Sequence, residues 1–204
     1  MNKIPFNSPH LTGKEIEYII DAHQTGQLAG DGKYTKIASR LIEKLINVNQ
    51  SLITHSCTAA LEMSAILLDL KPGDEVIMPS YTFVSTANAF VLRGAIPVFV
   101  DVDCMTFNID PASVERAISS KTKAIIVVHY AGISCDMDRI ITLSTKYGIP
   151  VIEDAAQALL STYKGKSLGS FGLLASVSFH ETKNIISGEG GALIVNDAGL
   201  SSRA

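Results

Sequence analysis

Short apolar runs alternate with helical patterns from residue 52 onward, and this alternation limits the possible folds most strongly. Strands are predicted at residues 52–53, 75–78, 97–100, 124–128, 151–152, 175–180 and 190–195. Helices are predicted between them, at residues 58–70, 83–92, 111–118 and 136–147. Most of the strands are short continuous apolar runs, as burial on both faces requires. The pattern predicts an α/β fold, with a mostly parallel sheet and helices on both of its faces.

The N-terminal part of the chain has a different pattern. Two prolines near the N-terminus predict an extended arm. Thr12 and Glu15 have capping-box spacing, which predicts the start of a helix with isoleucines on one face. A second amphipathic helix is predicted around Leu41. We therefore predict an arm with two helices at residues 1–50, followed by one large domain at residues 51–204.

Composition excludes several classes of protein. Apolar residues make up 47% of the chain, which argues against disorder. The net charge is −3 and the basic residues are scattered, so a nucleic-acid surface is not expected. No apolar run reaches membrane-spanning length. Cys57, Cys104 and Cys135 have no metal-site spacing, and they favour a reduced cytoplasmic protein without a metal site.

Lys183 lies just after the predicted strand at residues 175–180. A lysine held at a strand end beside a partly dry pocket can lose its proton and attack a carbonyl group, because desolvation disfavours the ammonium form. The alternative is an ordinary solvated surface lysine. Lys183 on its own would favour that alternative.

Three other residues lie at or just after predicted strand ends. Asp154 ends a buried-looking strand, Thr58 opens a helix after a strand, and Phe83 follows another strand. Ligands of parallel sheets bind at the carboxyl ends of the strands, and helix N-termini bind phosphate through free backbone N–H groups. The pattern therefore predicts that these residues share one site with Lys183.

Four segments together resemble one enzyme family. They are residues 54–62, 78–90, 151–157 and 178–184. In this order they resemble the fold-type I pyridoxal-phosphate enzymes, and more narrowly the DegT/DnrJ/EryC1/StrS sugar aminotransferases. The resemblance implies the large domain of a fold-type I transferase with pyridoxal phosphate (PLP) as its cofactor.

The resemblance also implies roles for three residues around the reacting centre. Lys183 is expected to bind the cofactor covalently and then to move a proton. Some relatives carry histidine there and catalyse dehydration, so the lysine favours transamination. Asp154 is expected to pair with the pyridine nitrogen, because a protonated ring draws electrons from the substrate. Gln157 is expected to bond the ring oxygen, with a surface glutamine as the alternative.

The remaining cofactor contacts are also expected from the resemblance. Cys57 and Thr58 are expected to bind the phosphate, mostly through backbone N–H groups, and Ser178 is expected to add a hydroxyl. Cys57 could have a lowered pKa at a helix start, but a small buried filler is the preferred interpretation. Phe83 is expected to lie over the pyridine ring, although a core phenylalanine is an equally good interpretation.

The activity implied is transfer of an amino group from glutamate to a nucleotide-linked 4-keto-6-deoxy sugar, by a homodimer. The expected reaction converts dTDP-4-keto-6-deoxyglucose to dTDP-4-amino-4,6-dideoxygalactose, for surface polysaccharide such as enterobacterial common antigen. One alternative is a different keto-sugar nucleotide. Another is an inactive fragment, since residues 200–204 suggest the first turn of a new helix and the family's small C-terminal domain is expected beyond it.

Overall fold

A computed structural model describes residues 3–204. The helices, which we number in chain order, are α1 Glu15–Gln24, α2 Lys33–Ile46, α3 Cys57–Leu67, α4 Val84–Val91, α5 Pro111–Ala117 and α6 Met137–Tyr147. The strands are β1 Gln50–Thr54, β2 Glu75–Pro79, β3 Ile96–Val100, β4 Thr122–Val128, β5 Val151–Asp154, β6 Thr162–Tyr163, β7 Lys166–Ser167, β8 Leu174–Ser178 and β9 Gly191–Val195.

Seven of the strands form one sheet in the order β1-β9-β8-β5-β4-β2-β3. The pairs β2–β3, β2–β4, β4–β5 and β5–β8 are parallel, while β8–β9 and β1–β9 are antiparallel. The predicted mostly parallel sheet is therefore confirmed. The crossovers α3, α4, α5 and α6 connect strands that start from the same edge of the sheet, which brings the carboxyl ends of the parallel strands together.

Helices cover both faces of the sheet, as predicted. Alternate residues of β4 divide between two cores: Ala124 and Ile126 pack with α3 and α4, while Ile125 and Val127 pack with α5 and α6. Helix α2 packs on the second face through Ile46, against β8 and β9. Because both faces are buried, the strands need apolar residues at nearly every position, which explains the continuous apolar runs in the sequence.

The N-terminal helices differ in part from the prediction. Helix α1 begins at Glu15, and Lys14 rather than Thr12 occupies its N-cap position. Glu15 nevertheless accepts hydrogen bonds from the Thr12 amide and hydroxyl, so half of the predicted capping box forms. Helix α1 has no buried residue, and the side chain of Ile16 is 65% exposed. The boundary predicted at residue 50 stays a prediction; β1 starts there, at Gln50.

Three local expectations differ from the structure. Strand β8 ends at Ser178, two residues before the predicted end, because the chain turns at His180 to bridge with Gly188. The short hairpin of β6 and β7 was missing from the prediction, since two-residue strands carry no periodicity. Residues 198–203 form turns instead of a regular helix, although Asp197 accepts a hydrogen bond from the Leu200 amide, as expected of a cap.

Candidate active site

All seven residues predicted to bind or react with the cofactor line one cavity. The cavity lies at the carboxyl ends of the parallel strands, where β2, β4, β5 and β8 finish. These residues are Cys57, Thr58, Phe83, Asp154, Gln157, Ser178 and Lys183. They come from four separate segments of the chain, so their meeting is a property of the sheet topology. The role predicted for each residue stays a prediction.

One wall of the cavity is the N-terminus of α3. Ser56 caps the helix, and its hydroxyl accepts a hydrogen bond from the Ala59 amide at 3.1 Å. The amides of Cys57 and Thr58 belong to the first turn, where helix N–H groups have no partner within the helix. The Thr58 hydroxyl donates to the Ser85 hydroxyl at 2.9 Å, so a ligand would have to compete for it or share it.

Strand β9 packs unusually close to this helix start. Gly191 pairs with Ser178 in the sheet, and a Cβ atom built on Gly191 would lie 2.5 Å from the carbonyl carbon of Ser56. Only glycine allows this approach. Ser178 and the first residues of α3 consequently line the same cavity, and together they form a suitable cradle for a phosphate group.

The Cys57 thiol is not activated by its position at a helix start. Burial raises the pKa of this thiol, and the nearby Asp154 carboxylate raises it further. The thiol is therefore neutral at physiological pH. This agrees with the preferred interpretation of Cys57 as a small filler and disagrees with a lowered pKa.

Asp154 lies at the bottom of the cavity as the last residue of β5, and it is 5% exposed. One carboxylate oxygen accepts a hydrogen bond from the Thr86 hydroxyl at 2.7 Å, and the other accepts one from the Ala156 amide at 3.1 Å. Burial raises the pKa of the Asp154 carboxyl, although these hydrogen bonds and the charge of Lys183 oppose the rise. A buried carboxylate with a raised pKa is poised to interact with a cationic group.

Glu153 points to the opposite face of the sheet, as strand alternation predicts. Its carboxylate accepts hydrogen bonds at 2.7 Å from the amides of Gly169, Phe171 and Gly172. It also accepts one from Nε2 of the buried His129 at 2.9 Å. Glu153 therefore ties the loop before β8 to strand β5 and to His129.

Both ring nitrogens of His129 form hydrogen bonds within the chain. Its Nδ1 atom accepts a hydrogen bond from the Cys135 amide at 3.2 Å, while Nε2 faces Glu153. An Nδ1 atom that accepts a hydrogen bond cannot carry a proton, so this geometry selects the neutral tautomer protonated on Nε2. The ring forms part of the cavity wall beside Asp154.

Lys183 lies in a loop that folds back onto the end of β8. Its amide donates to the His180 carbonyl, and the Ser187 amide donates to the Phe179 carbonyl. The Asn184 side chain donates to the Leu159 carbonyl at 2.7 Å. Asn184 therefore anchors the loop, and it influences the position of Lys183 through the backbone.

Gln157 and Phe83 lie at the mouth of the cavity. Gln157 is partly buried, and its side-chain oxygen accepts a hydrogen bond from the Ala131 amide at 2.6 Å, which distinguishes it from a free surface glutamine. Phe83 is 71% exposed and directly precedes α4, so it is not a core phenylalanine. Its exposed ring is available to cover a flat ligand.

Sequence reasoning missed two residues of this site, Thr82 and Thr86. Thr86 is fully buried on α4 and contacts Asp154, and Thr82 contacts Thr86. The available signal was a pair of threonines four residues apart, which places both side chains on one side of a helix or its entry. The pairing with Asp154 became visible only in the tertiary structure.

The donor set fits PLP. The cavity combines an amine on Lys183, a buried carboxylate on Asp154 and the helix-start cradle beside Gly191. These groups match an aldehyde, a pyridine nitrogen and a phosphate, in that order. Among residues 3–204, no cluster of three His, Cys, Asp or Glu side chains is arranged to bind a metal ion. No helix in the same range has the length and apolar character needed to cross a membrane.

Comparison with known proteins decides the family. The family model described as the DegT/DnrJ/EryC1/StrS aminotransferase family matches residues 9–204. The chain belongs to this family. Members are PLP-dependent sugar aminotransferases, so the cofactor expected from the sequence is the cofactor of the family.

Individual relatives agree with this assignment. SpsC, a spore coat polysaccharide biosynthesis protein of Bacillus subtilis (strain 168), is 38% identical over 200 residues, which cover 98% of this chain and 51% of SpsC. GDP-perosamine synthase of Caulobacter vibrioides is 37% identical over 201 residues, covering 98% of this chain and 54% of the synthase. The chain therefore spans about half the length of these relatives.

A solved structure shows the same fold. Spr1654 of Streptococcus pneumoniae in its PLP form superposes with a TM-score of 0.89 at 33% identity, covering 99% of this chain and 55% of that one. The fold-type I architecture expected from the sequence is thereby confirmed for this chain.

Proposed function

We propose that this chain takes part in PLP-dependent transfer of an amino group from glutamate to a nucleotide-linked 4-keto-6-deoxy sugar. The observation that carries the proposal is the meeting of Lys183, Asp154 and the α3 N-terminus in one cavity. Bound PLP supplies an electron sink and carries the amino group from the donor to the sugar. The chain's own residues bind and orient the cofactor and move the protons.

Each residue has a distinct task in this proposal. Lys183 Nζ binds the cofactor and moves a proton between the reacting carbon atoms. Asp154 holds a proton on the ring nitrogen, because its buried carboxylate is stabilised by a cationic partner. The amides of Cys57 and Thr58 bind the phosphate together with the Ser178 hydroxyl.

Two further residues orient the ring. Gln157, which is fixed by the Ala131 amide, bonds the ring oxygen, and Phe83 covers the ring from the mouth of the cavity. The exposed ring of Phe83 would lose water contact on binding, which favours the covered state.

The first experiment measures cofactor binding. PLP is titrated into the 204-residue chain, into Lys183→Ala and into the matched control Lys71→Ala, which removes an exposed lysine in the loop before β2. We expect a saturable visible band of lysine-bound PLP in the native chain and the control, and its loss in Lys183→Ala. Equal bands in all three proteins would refute the role of Lys183, and no band in the native chain would refute cofactor binding by this chain.

We propose dTDP-4-keto-6-deoxyglucose as the acceptor, with dTDP-4-amino-4,6-dideoxygalactose as the product for surface polysaccharide such as enterobacterial common antigen. Its support is the resemblance of residues 78–90 and 178–184 to enzymes with that activity. A GDP-linked 4-keto-6-deoxy sugar is the second candidate. It is favoured by the GDP-perosamine synthases of Caulobacter vibrioides and Escherichia coli O157:H7, each 37% identical to this chain.

Parallel assays distinguish the two acceptors. The chain is loaded with PLP, supplied with glutamate, and incubated with the dTDP-linked or the GDP-linked keto sugar, and the amino sugar is detected by mass spectrometry. Product from the dTDP sugar alone supports the first candidate, and product from the GDP sugar alone supports the second. Cofactor binding without either product contradicts both acceptors for this chain and favours the alternative of an inactive fragment.

We also propose a homodimer in the cytoplasm. A cytoplasmic location is supported by the three free cysteines, because a reducing compartment keeps thiols unpaired. The dimer is supported by exposed aromatic side chains that line the cavity, Phe83 and Tyr81, which a second subunit could cover. Sizing chromatography with light scattering tests the dimer, and a monomeric mass at micromolar concentration would contradict it.

A further inference from the structure

Two threonine hydroxyls connect Asp154 to the open part of the cavity. The Thr86 hydroxyl lies 2.7 Å from one oxygen of the Asp154 carboxylate. The Thr82 hydroxyl lies 2.7 Å from the Thr86 hydroxyl and also lines the cavity. Thr86 is completely buried, whereas Thr82 is partly exposed, so the two hydroxyls connect the buried carboxylate to the open part of the cavity.

The direction of these hydrogen bonds depends on whether Asp154 is ionised. An ionised carboxylate can only accept, so Thr86 must donate its single hydroxyl hydrogen to Asp154. Thr86 then has no hydrogen left for Thr82, and Thr82 must be the donor between the two threonines. The two hydrogens consequently point toward the carboxylate, and each bond polarises the next.

We infer that Thr82 and Thr86 form a hydroxyl relay that keeps Asp154 ionised and oriented in the cavity. Both are positioning residues, since neither is required to touch the cofactor. That the ligand of Asp154 is the ring nitrogen of PLP rests on the function proposed above. The relay itself rests only on contacts within this chain.

The surroundings of Asp154 explain why a relay is needed. Burial raises the pKa of the Asp154 carboxyl, and the Thr86 hydrogen bond is the largest contribution that opposes this rise. The other titratable groups facing Asp154 are His129 at the end of β4, Lys183 in the loop after β8 and Cys57 on α3. His129 is held neutral by its contact with the Cys135 amide, and the Cys57 thiol is neutral as well. Lys183 would use its amine to bind the cofactor, which leaves the Thr86 hydroxyl and the Ala156 amide as the fixed donors to the carboxylate.

Carbon-13 NMR of aspartate carboxyl groups in the cofactor-free chain tests the relay directly. The Asp154 signal is assigned by its loss in Asp154→Asn. A hydrogen bond to a charged group accounts for about one to two pKa units, so Thr86→Val is expected to raise the Asp154 pKa by about that amount. Thr86→Ser keeps the hydroxyl and is expected to restore the native pKa. Thr82→Val is expected to produce a smaller rise in the same direction.

The matched control is Thr142→Val on α6. This threonine is exposed, and its hydroxyl donates to the Asp138 carbonyl of its own helix at 2.7 Å. The substitution is chemically identical and removes the hydroxyl hydrogen bond of a helical threonine, but the partner lost is a backbone carbonyl and not Asp154. The control is expected to leave the Asp154 pKa unchanged.

The outcomes decide the inference in either direction. An unchanged Asp154 pKa in folded Thr86→Val overturns the relay, and so does a rise that Thr86→Ser fails to reverse. If circular dichroism shows that Thr86→Val does not fold, Thr82→Val becomes the deciding variant. An unchanged pKa in Thr82→Val then overturns the relay, and a raised pKa supports it.

A PLP titration separates the relay from the proposed function. At neutral pH, Thr86→Val is expected to bind PLP about tenfold more weakly than the native chain, and Thr86→Ser is expected to bind it with native affinity. Failure of the native chain to bind PLP would count against the proposed function alone, because the NMR titration needs no cofactor. Native affinity in Thr86→Val, despite a raised Asp154 pKa, would show that Asp154 is ionised by the cofactor and would overturn the relay's contribution to binding.

Discussion

Substitution of Gly191 by alanine should disturb the phosphate cradle, which consists of Ser178 and the first amides of α3, and should lower both the Tm and the affinity for PLP. Strand β9 passes so close to the start of α3 that a Cβ atom on Gly191 would lie 2.5 Å from the carbonyl carbon of Ser56 and 2.8 Å from the Cα atom of Cys57. The backbone nitrogen of Cys57 would be closer still, and ordinary van der Waals contact begins at 3.4 Å, so the helix start must move away by about 1 Å. The neighbouring atoms are backbone, so a side-chain rotation cannot relieve the contact.

The expected cost follows from this displacement. Overpacking a well-packed region typically destabilises a protein by about 1–3 kcal/mol, which corresponds to a fall in Tm of about 2–12 °C for a chain of this size. The displaced groups include the amides of Cys57 and Thr58, which are proposed to bind the phosphate. Loss of one hydrogen bond to a charged group weakens binding by about tenfold to a hundredfold, so PLP affinity should fall by that factor.

The assay compares Gly191→Ala with Gly94→Ala. A Cβ atom on Gly94 would lie 3.0 Å from the Cα atom of Pro72, between two loops at the opposite edge of the sheet. Both variants should melt at a lower temperature than the native chain, but only Gly191→Ala should lose PLP affinity in a visible-absorption titration. Native Tm and native affinity in Gly191→Ala would refute the close-packing argument. Equal losses of affinity in both variants would refute the link to the cradle.

Three further predictions concern buried ionisable groups. Burial raises the pKa of Glu153, but the hydrogen bonds from His129 and the loop amides outweigh burial and lower the pKa overall. The ionised Glu153 therefore stabilises the fold above pH 4.5, and this stabilisation is lost as the pH falls through the pKa of the folded state. Glu153→Gln places an amide donor opposite backbone N–H donors and should therefore lower the free energy of unfolding in urea by about 1–3 kcal/mol at pH 7, and this difference from the native chain should narrow in acid; a difference independent of pH would contradict this. Burial raises the pKa of Asp154, so ionisation destabilises the cofactor-free chain as pH rises above 3.8. Asp154→Asn should then be more stable than the native cofactor-free chain at pH 7 yet bind PLP more weakly, whereas lower stability at that pH would contradict the assignment. Iodoacetamide at pH 7 should alkylate the exposed Cys104 well before Cys57, whose pKa is raised by burial, and mass spectrometry that finds Cys57 modified first would disprove this order.

Much of the fold could be predicted because its signals are local. A strand buried on both faces must be apolar at nearly every position, so β4 and β9 were recognisable as short apolar runs. Local signals do not record tertiary contacts. Helix α1 was predicted from its isoleucine spacing, but that spacing does not show whether a partner covers the apolar face.

The candidate site could be predicted in composition but not in its connections. Lys183, Asp154 and Thr58 were identifiable because each follows a strand, and carboxyl ends of parallel strands meet at one edge of a sheet. The contacts of Gln157 with the Ala131 amide and of Asn184 with the Leu159 carbonyl carry no signal in the sequence. These contacts join segments that are about 25 residues apart along the chain, and only the folded loops bring them together.

The sequence by itself determined the layered α/β architecture and the chemical groups of the cavity, because periodicity and residue type are properties of the chain. Only the tertiary structure decided which groups touch. It placed Gly191 against the start of α3, Glu153 beneath the loop before β8, and Thr86 against Asp154. Hydrogen bonds and close packing act over about 3 Å, so they depend on how crossovers and loops stack, which no local pattern records.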